Sequence, residues 1–208
     1  MKTYNPFGPK HFARAMQAHV NEICQPLFQQ LGLNYFHYFK TYKDGSAIIL
    51  YSRLDWHDHW FARQFRPAVP LPKQEIRIGQ YNICLWRDVV PDYILSEAKE
   101  VCQLDHFLGI SMAFPDCFES FAFGAAAHQT AVTNVYFNSL EILFKFIDYF
   151  KRQAVDLIQQ YEKSPIIFPT AYQPKQLVLL DRLNNMTVTG NKGEVNISLK
   201  ELETLKLL

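Results

Sequence analysis

The chain has 208 residues, of which 49% are hydrophobic and 15% aromatic, and its formal net charge is +1. A near-neutral chain has no overall field that would draw it to nucleic acid or to an anionic membrane. Its length allows one large domain, or a domain with a small appendage. The high aromatic content is typical of a thick core with aromatic-lined space inside it.

The four cysteines, Cys24, Cys84, Cys102 and Cys117, stand far apart and form no CxxC pair. This spacing favours reduced, buried side chains over a disulfide framework or a zinc site. No apolar run approaches the ~18 residues that span a bilayer. The first residues of the sequence carry no hydrophobic export segment. We therefore expect a soluble, cytoplasmic protein.

Hydrophobic periodicity predicts a helix and a strand hairpin at the start of the chain. Apolar residues recur every three or four positions from about residue 9 to 31, with Pro26 inside the stripe. Residues 34–42 predict a strand that is aromatic on both faces and therefore central in its sheet. Asp44 and Gly45 predict a tight turn into a second strand over 47–51.

Residues 52–65 stand out because Trp56 and Trp60 fall on one face if the segment is helical. Asp55 suits the start of this helix, and Pro67 ends it. Two neighbouring indoles bury a large apolar area and keep two N–H donors, as in the wall of a small-molecule pocket. The competing interpretation is that both are ordinary core residues, because aromatic stripes usually face a core.

The second half of the chain continues the alternation of helices and hairpins. Residues 66–72 read as a proline-stiffened loop, and residues 76–90 match neither the helical nor the strand period. The next predicted elements are a helix over 91–105, strands over 108–114 and 118–127, and a long amphipathic helix over 138–163. This order predicts an α/β (α+β) fold, an α-β-α sandwich whose mainly antiparallel central sheet carries helices on both faces.

The last part of the sequence changes character. Residues 164–195 contain three prolines and several turn signals, and they predict a linker. A new helix is predicted from Val195 onward, because Ser198 and Glu201 match a capping box and leucines follow at three-residue spacing. A helix of about ten residues is marginal in water by itself. We therefore expect a further domain to follow in a longer parent protein.

Residues 197–208, ISLKELETLKLL, resemble the first helix of the LuxR-type helix-turn-helix domain. Lys200 stands where that pattern usually has Arg. The resemblance implies that residues 1–163 are an autoinducer-binding-like sensor domain with a PAS-like or GAF-like fold. Residues 164–195 would then be the linker, and residues 196–208 the start of an incomplete DNA-binding domain.

The middle of the chain is similar to the sensor domain of the same family. Its members carry a Trp-x3-Tyr pair, a later Trp and a Gly-rich strand hairpin. Trp56 matches the first Trp, Trp60 takes the Tyr position, and Trp86 is a candidate for the later Trp. Residues 108–111 resemble the strand entry that carries the family's Gly, and residues 118–127 resemble the strand after it.

One departure from the family bears on the ligand. Acyl-homoserine-lactone receptors use an Asp to accept the amide N–H of the ligand, and Val69 stands at the corresponding position here. No carboxylate occurs between Asp58 and Glu75. A buried amide without its acceptor costs ~1–3 kcal/mol. We therefore expect that acyl-homoserine-lactone binding is lost or changed.

The function implied by the resemblance is small-molecule sensing by a LuxR-type transcriptional regulator, as in quorum sensing. The ligand would be small and apolar or amphipathic, the protein a homodimer, and DNA would be contacted only through the missing C-terminal domain. The predicted ligand-binding residues are Tyr38, Trp56, Trp60, Phe65, Trp86, Ser111 and Phe123.

Two other functions stay open. One is a ligand-independent dimerisation or protein-interaction module whose pocket has collapsed. The other is an enzyme, although the sequence has no GxSxG, P-loop or dinucleotide fingerprint. Asp55 and His59 would share a helical face, but two ligands are too few for a metal site. We therefore predict no catalytic residue, no metal and no cofactor.

Overall fold

The computed structural model describes residues 12–63, 78–167, 185–190 and 193–198. Within these residues, eight helices surround one sheet of eight strands. The helices are α1 (Phe12–Ala15), α2 (Gln17–Leu31), α3 (Leu54–Ala62), α4 (Trp86–Val89), α5 (Asp92–Cys102), α6 (Val132–Asn138), α7 (Leu140–Gln153) and α8 (Val155–Glu162). The strands are β1 (Tyr35–Tyr42), β2 (Ser46–Tyr51), β3 (Tyr81–Leu85), β4 (Leu104–Ala113), β5 (Cys117–Ala126), β6 (Ile166–Ile167), β7 (Asn185–Gly190) and β8 (Gly193–Ser198).

The strand order across the sheet is β6-β2-β1-β5-β4-β3-β7-β8. Every neighbouring pair is antiparallel except β3 and β7, which run parallel. Helices cover both faces of the central strands. The predicted α-β-α sandwich with a mainly antiparallel sheet is therefore confirmed. None of the helices in the described part of the chain combines the length and the apolarity needed to cross a membrane.

The first hairpin forms where the turn signal predicts it. Gly45 has a φ of 82°, a left-handed conformation that glycine adopts without a Cβ penalty. Its N–H donates to the carbonyl oxygen of Tyr42 over 3.0 Å, and Asp44 Oδ1 accepts from the N–H of Ser46 over 2.9 Å. The predicted central position of β1 is also confirmed, since it lies between β2 and β5.

Side chains alternate along each strand, so the register divides the sheet into two faces. The first face, here called the α7 face, carries Phe36 and Phe123, which pack against α7 rings such as Phe146. The second face, here called the α5 face, carries Tyr35 and Ala122 in one buried cluster with side chains of α3, α4 and α5. The two clusters together form the core.

Several elements differ from the sequence-based expectation. The ambiguous stretch 76–90 holds a strand, β3, followed at once by the short helix α4. The predicted helix over 138–163 is two helices, α7 and α8, that meet at Ala154. Strand β4 begins before residue 108, because a register shift between Asp105 and Leu108 absorbs the extra residues.

Residues 185–198 differ most from the expectation. The sequence predicts a linker up to residue 195 and a helix from Val195 onward. The structure instead has the hairpin of β7 and β8 over residues 185–190 and 193–198, and β7 pairs with β3 at the edge of the sheet. β-Branched residues such as Val188 and Val195 favour strands, and the two strands are paired from Asn185 with Ser198 to Gly190 with Gly193. The leucine spacing that indicated a helix lies in residues 199–208, outside the described residues. The proposed start of a DNA-binding domain in 196–208 therefore stays a prediction.

Candidate ligand-binding site

Helix α3 follows the first hairpin and brings two indoles to the α5 face. Trp56 is 1% exposed, and Trp60 is partly buried against the same cluster. The two rings meet edge to face, with centroids 5.6 Å apart and planes at 82°, which is a favoured geometry for aromatic pairs. The prediction that both indoles share one helical face is therefore confirmed.

An ion-pair cluster fixes α3 on α5. Arg63 donates to Glu97 through Nε over 2.9 Å and through Nη2 over 2.6 Å, and His59 Nε2 lies against the same carboxylate. The hydrogen bonds from Arg63, helped by His59, hold the pKa of Glu97 below its usual value. Asp55 pairs instead with Arg53, so Asp55 and His59 each face a partner other than a metal ion.

A second aromatic wall stands on α4 and β4. Trp86 stacks on Phe107 with ring centroids 4.7 Å apart, and Phe107 meets Tyr35 edge to face at 5.5 Å. Two glycines make these contacts possible. A Cβ on Gly109 would lie 3.2 Å from Trp86 Nε1, and a Cβ on Gly124 would lie 2.9 Å from Phe107 Cδ1. The space beside Gly124 is thus filled by a ring of the same sheet.

Between the two walls the sheet presents small and polar residues together with two large apolar ones, Phe39 and Ile49. The cross-strand register lines them up in two adjacent rows that run from β2 to β3. The first row is Tyr51, His37, Ala122, Gly109 and Cys84, and the second row is Ile49, Phe39, Ser120, Ser111 and Asn82. Neighbours in a row are separated by one strand spacing, ~4.8 Å.

The buried polar atoms on this face without a hydrogen-bond partner among the described residues include Asp88 Oδ1 of α4 and five atoms of uncharged side chains. The five form one set. They are His37 Nε2, Thr41 Oγ1, Tyr51 Oη, Asn82 Oδ1 and Trp86 Nε1, here called the unpaired polar set. Leaving one such group buried and unpaired costs about 1–3 kcal/mol. A fold that carries several of them on one surface is expected to keep them for a purpose other than stability.

His37 is neutral at this position. Burial, reinforced by the nearby His57, lowers the pKa of His37 to about 3. Its Nδ1 lies 3.4 Å from the hydroxyl of Tyr35, which leaves Nε2 as the atom available to a ligand. Burial also raises the pKa of Tyr51, whose ring stacks on His57 with centroids 3.7 Å apart. Both groups therefore act as uncharged hydrogen-bonding partners.

The structure brings four of the seven predicted ligand-binding residues together and separates two. Trp56, Trp60, Trp86 and Ser111 all belong to the α5 face. Tyr38 and Phe123 lie on the α7 face, where Tyr38 packs against Phe150 and donates its hydroxyl to Glu119 over 2.8 Å. Phe65 lies outside the described residues.

The reason for the misplacement is the two-residue period of a strand. Neighbouring residues point to opposite faces, so choosing Tyr38 instead of His37 selects the wrong side of the sheet. The sequence assigns His37 and Thr41 to one face of β1, and this alternation was sufficient to find them. Tyr51 could not be found in this way, because a two-residue Asp-Gly turn would place it opposite Tyr38, whereas the connection has three residues and Tyr51 pairs with His37. No comparable signal identified Asn82, because its stretch shows no clear period.

The described residues contain no group of three or more His, Cys, Asp or Glu side chains placed to hold a metal ion. A scan against models of protein families finds no match for this chain, and a search of curated proteins finds none either.

Proposed function

We propose that this chain is the small-molecule-sensing part of a LuxR-type transcriptional regulator, with the ligand bound on the α5 face. The observation that supports this most is the unpaired polar set, which shares one sheet face with Trp56, Trp60 and Trp86. Convergent polar groups inside an aromatic enclosure are the usual composition of a ligand site. Such a protein acts in the cytoplasm, where a longer parent reaches DNA through its C-terminal domain.

Sensing follows from binding energy. A ligand that binds only the folded state stabilises it by mass action. If the ligand also favours one arrangement of α3 over another, it shifts the population of that arrangement, and a following DNA-binding domain or a second copy of the chain responds. The Glu97 cluster, which joins α3 to α5, is the contact through which such a shift passes.

A thermal-shift screen of the full chain against acyl-homoserine lactones and fractionated cell extracts tests the proposal. We expect at least one extract fraction to raise the melting temperature, and the lactones to raise it little because Val69 replaces the family's Asp. Trp60→Leu should abolish the ligand-induced shift. The matched control is Phe144→Leu on α7, a partly buried ring of the other cluster, which should lower the ligand-free melting temperature and keep the shift. Loss of the shift in both variants, or in neither, contradicts the proposal.

A second function, a ligand-independent dimerisation module, is favoured by a different observation. The atoms of the unpaired polar set are buried rather than open to solvent, so the face is covered without a ligand. Light scattering after size exclusion separates the two functions. A dimer that no extract fraction changes, in mass or in melting temperature, favours the module and removes the sensor.

A further inference from the structure

We infer that the ligand of the α5 face is an uncharged molecule with hydrogen-bonding groups at two ends that stand about 10 Å apart. This inference rests on the proposed sensing function and adds the chemical class of the ligand. It is carried by four members of the unpaired polar set: Tyr51 and His37 at one end of the first row, and at the other end Trp86, over Gly109 of that row, with Asn82 in the second row.

The first pair, here called the His37 end, is Tyr51 Oη and His37 Nε2. These residues are register partners on β2 and β1. A neutral imidazole and a hydroxyl each donate or accept, and both groups are uncharged because burial opposes their ionisation. The His37 end therefore accepts a hydroxyl, a carbonyl or an amide on the ligand with little selectivity among them.

The second pair, here called the Trp86 end, is Trp86 Nε1 and Asn82 Oδ1. The indole nitrogen only donates and the amide oxygen only accepts. The ligand therefore accepts from Trp86 and donates to Asn82, through one hydroxyl or lactam or through two neighbouring groups. The indole lies over Gly109 on β4, and Asn82 lies on the neighbouring strand β3.

The distance between the ends follows from the sheet. His37 is on β1, and the residue under the Trp86 indole is on β4, with β5 between them. Two strand spacings of ~4.8 Å give about 10 Å from His37 to the indole, and Asn82 lies one strand further, on β3. The row between the ends holds Ala122, and the next row holds Ser120 and Ser111. The small side chains lie next to Phe39 in the second row, so a ligand between the ends would meet an aromatic ring and small side chains, which suits a flat, ring-like body.

The charges around this face argue for an uncharged ligand. Neither cross-strand row contains a charged residue. Charges on the covering helix α3 are already paired: Asp55 with Arg53, and His59 with Glu97. An unpaired charge is very costly to bury. Asp88 on α4 is the exception: its Oδ1 is buried without a hydrogen-bond partner among the described residues, and the carboxylate is close enough to act on Cys84. A cationic ligand is therefore the rival that the experiment must include.

Because the unpaired atoms are covered, a ligand reaches them only when part of the cover moves. The cover at the His37 end is His57 of α3, which stacks on Tyr51. Helix α3 also carries Trp60. Displacement of this helix is therefore part of binding, which connects recognition of the ligand to the α3 shift invoked for sensing.

The experiment uses the full chain labelled with ¹⁵N and four biphenyl probes. They are 4,4′-dihydroxybiphenyl, whose hydroxyl oxygens match the spacing of the two ends, 4-hydroxybiphenyl with one polar end, the cation 4-(aminomethyl)biphenyl, and the anion biphenyl-4-carboxylate. The readout is the indole N–H resonance of Trp86, assigned with Trp86→Phe, followed through a titration. We expect the two-ended probe to bind at least tenfold tighter than each of the other three.

Variants at the two ends test the pairing itself. His37→Phe and Asn82→Leu should each reduce the preference for the two-ended over the one-ended probe to less than threefold. The one-ended probe can bind in either direction, so each single variant should leave its affinity within twofold. Because the preference is a ratio measured within one variant, partial destabilisation cancels. The matched control is Tyr136→Phe, which removes an unpaired buried hydroxyl from the other cluster and should leave the preference unchanged.

Three outcomes overturn the inference. The one-ended probe binds as tightly as the two-ended probe, or a charged probe binds more tightly, or none of the four probes binds. The first two leave the sensing proposal standing, because a ligand still occupies the α5 face. After the third, the extract screen decides: a fraction that raises the melting temperature keeps the sensor and removes only the two-ended ligand.

Discussion

The two faces of the sheet are both buried, but they treat polar groups in opposite ways. On the α7 face, the carboxylate of Glu119 is 4% exposed and is held between the hydroxyl of Tyr38 at 2.8 Å and the ammonium of Lys151 at 2.6 Å. On the α5 face, buried polar atoms of β1, β2 and β3 have no partner among the described residues. The strand residues of the α7 face have their buried polar atoms paired, and the unpaired hydroxyl of that cluster is Tyr136 on α6, whereas the unpaired strand residues lie on the α5 face.

The comparison shows why burial alone does not identify a site. Of the described strand residues, those with an unpaired buried side-chain atom are His37, Thr41, Tyr51 and Asn82, and the register places all of them on the α5 face. Tyr38 is as deeply buried and as aromatic as any of them, yet its hydroxyl is satisfied. Among the strand residues, unmet hydrogen-bonding capacity, rather than aromatic character, separates the candidate site from the core.

The largest expected effect is on the α7 face. Phe150 is fully buried and its ring contacts those of Phe36, at 4.6 Å between centroids, and Tyr38, at 5.7 Å. Phe150→Ala should lower the free energy of unfolding by about 3–5 kcal/mol, since it removes a large ring and leaves a cavity. Urea denaturation measures the change. Any extract ligand that binds wild type should still bind the folded variant. Loss of that binding would contradict the assignment of the ligand to the α5 face alone.

A smaller effect is expected when the pairing on the α7 face is broken. Lys151→Met leaves the carboxylate of Glu119 with Tyr38 alone, and should cost about 2 kcal/mol, discounted because Lys151 is partly exposed. The control is Lys145→Met, which removes the exposed pair with Glu141 one helical turn away and should cost about 0.3–0.5 kcal/mol. Equal losses in the two variants would show that the buried pair does not hold this face together.

The free energy of unfolding should depend on pH because the buried imidazole of His37 is neutral in the folded protein. The folded-state pKa of His37 is lowered from 6.5 to about 3, so below pH 6.5 the unfolded chain takes up a proton that the folded chain does not. Stability from this group is therefore present above pH 6.5 and is lost as the pH falls toward 3, by at most about 1.4 kcal/mol per pH unit.

The His37 contribution is isolated by comparing variants. The urea midpoint is measured between pH 7 and pH 4.5 for wild type and for His37→Phe. It should fall more steeply with decreasing pH in wild type than in the variant, because the acidic groups contribute equally to both proteins and only wild type has His37. His19→Gln, on the exposed side of α2, is the control and should follow the wild-type slope. If the urea midpoint of His37→Phe has the same pH dependence as that of wild type, His37 takes up its proton in the folded protein as well. The α5 face would then accommodate a charged imidazole.

Much of the fold was predictable because the signals were local. The Asp44-Gly45 turn, the alternation of β1 and the apolar stripe of α2 each depend on a few neighbouring residues. The hairpin of β7 and β8 was missed because proline and glycine content around it was read as a linker. Its partner strand β3 is far away in the chain, and pairing at that distance leaves no local pattern.

The candidate site was predictable only in part, for a different physical reason. Trp56 and Trp60 are four residues apart on a helix, a relation that the sequence displays directly. The polar members of the face come together through the register of separate strands. Asn82 reaches Ser111 only across β3 and β4, and Ser111 reaches Ser120 only across β4 and β5. Such rows exist only after the sheet has formed.

The smallest effect separates a paired hydroxyl from an unpaired one within a single hairpin. Thr41 Oγ1 is buried on the α5 face without a partner among the described residues, whereas Ser46 donates its hydroxyl to Asp44 over 2.6 Å. Thr41→Val keeps the shape of the side chain and removes the unmet group, so it should raise the free energy of unfolding by ~1 kcal/mol. Ser46→Ala should lower it by a similar amount, ~1 kcal/mol.

The test is whether Thr41→Val and Ser46→Ala change the free energy of unfolding in opposite directions, as urea denaturation measures it. If Thr41→Val instead destabilises the protein as Ser46→Ala does, the hydroxyl of Thr41 is satisfied in solution, and the α5 face loses one of its unmet groups. If the two signs differ, a polar residue is retained in β1 at a cost to stability, although valine would fit the same strand and burial. That cost is understandable only where the hydroxyl meets something other than its own chain.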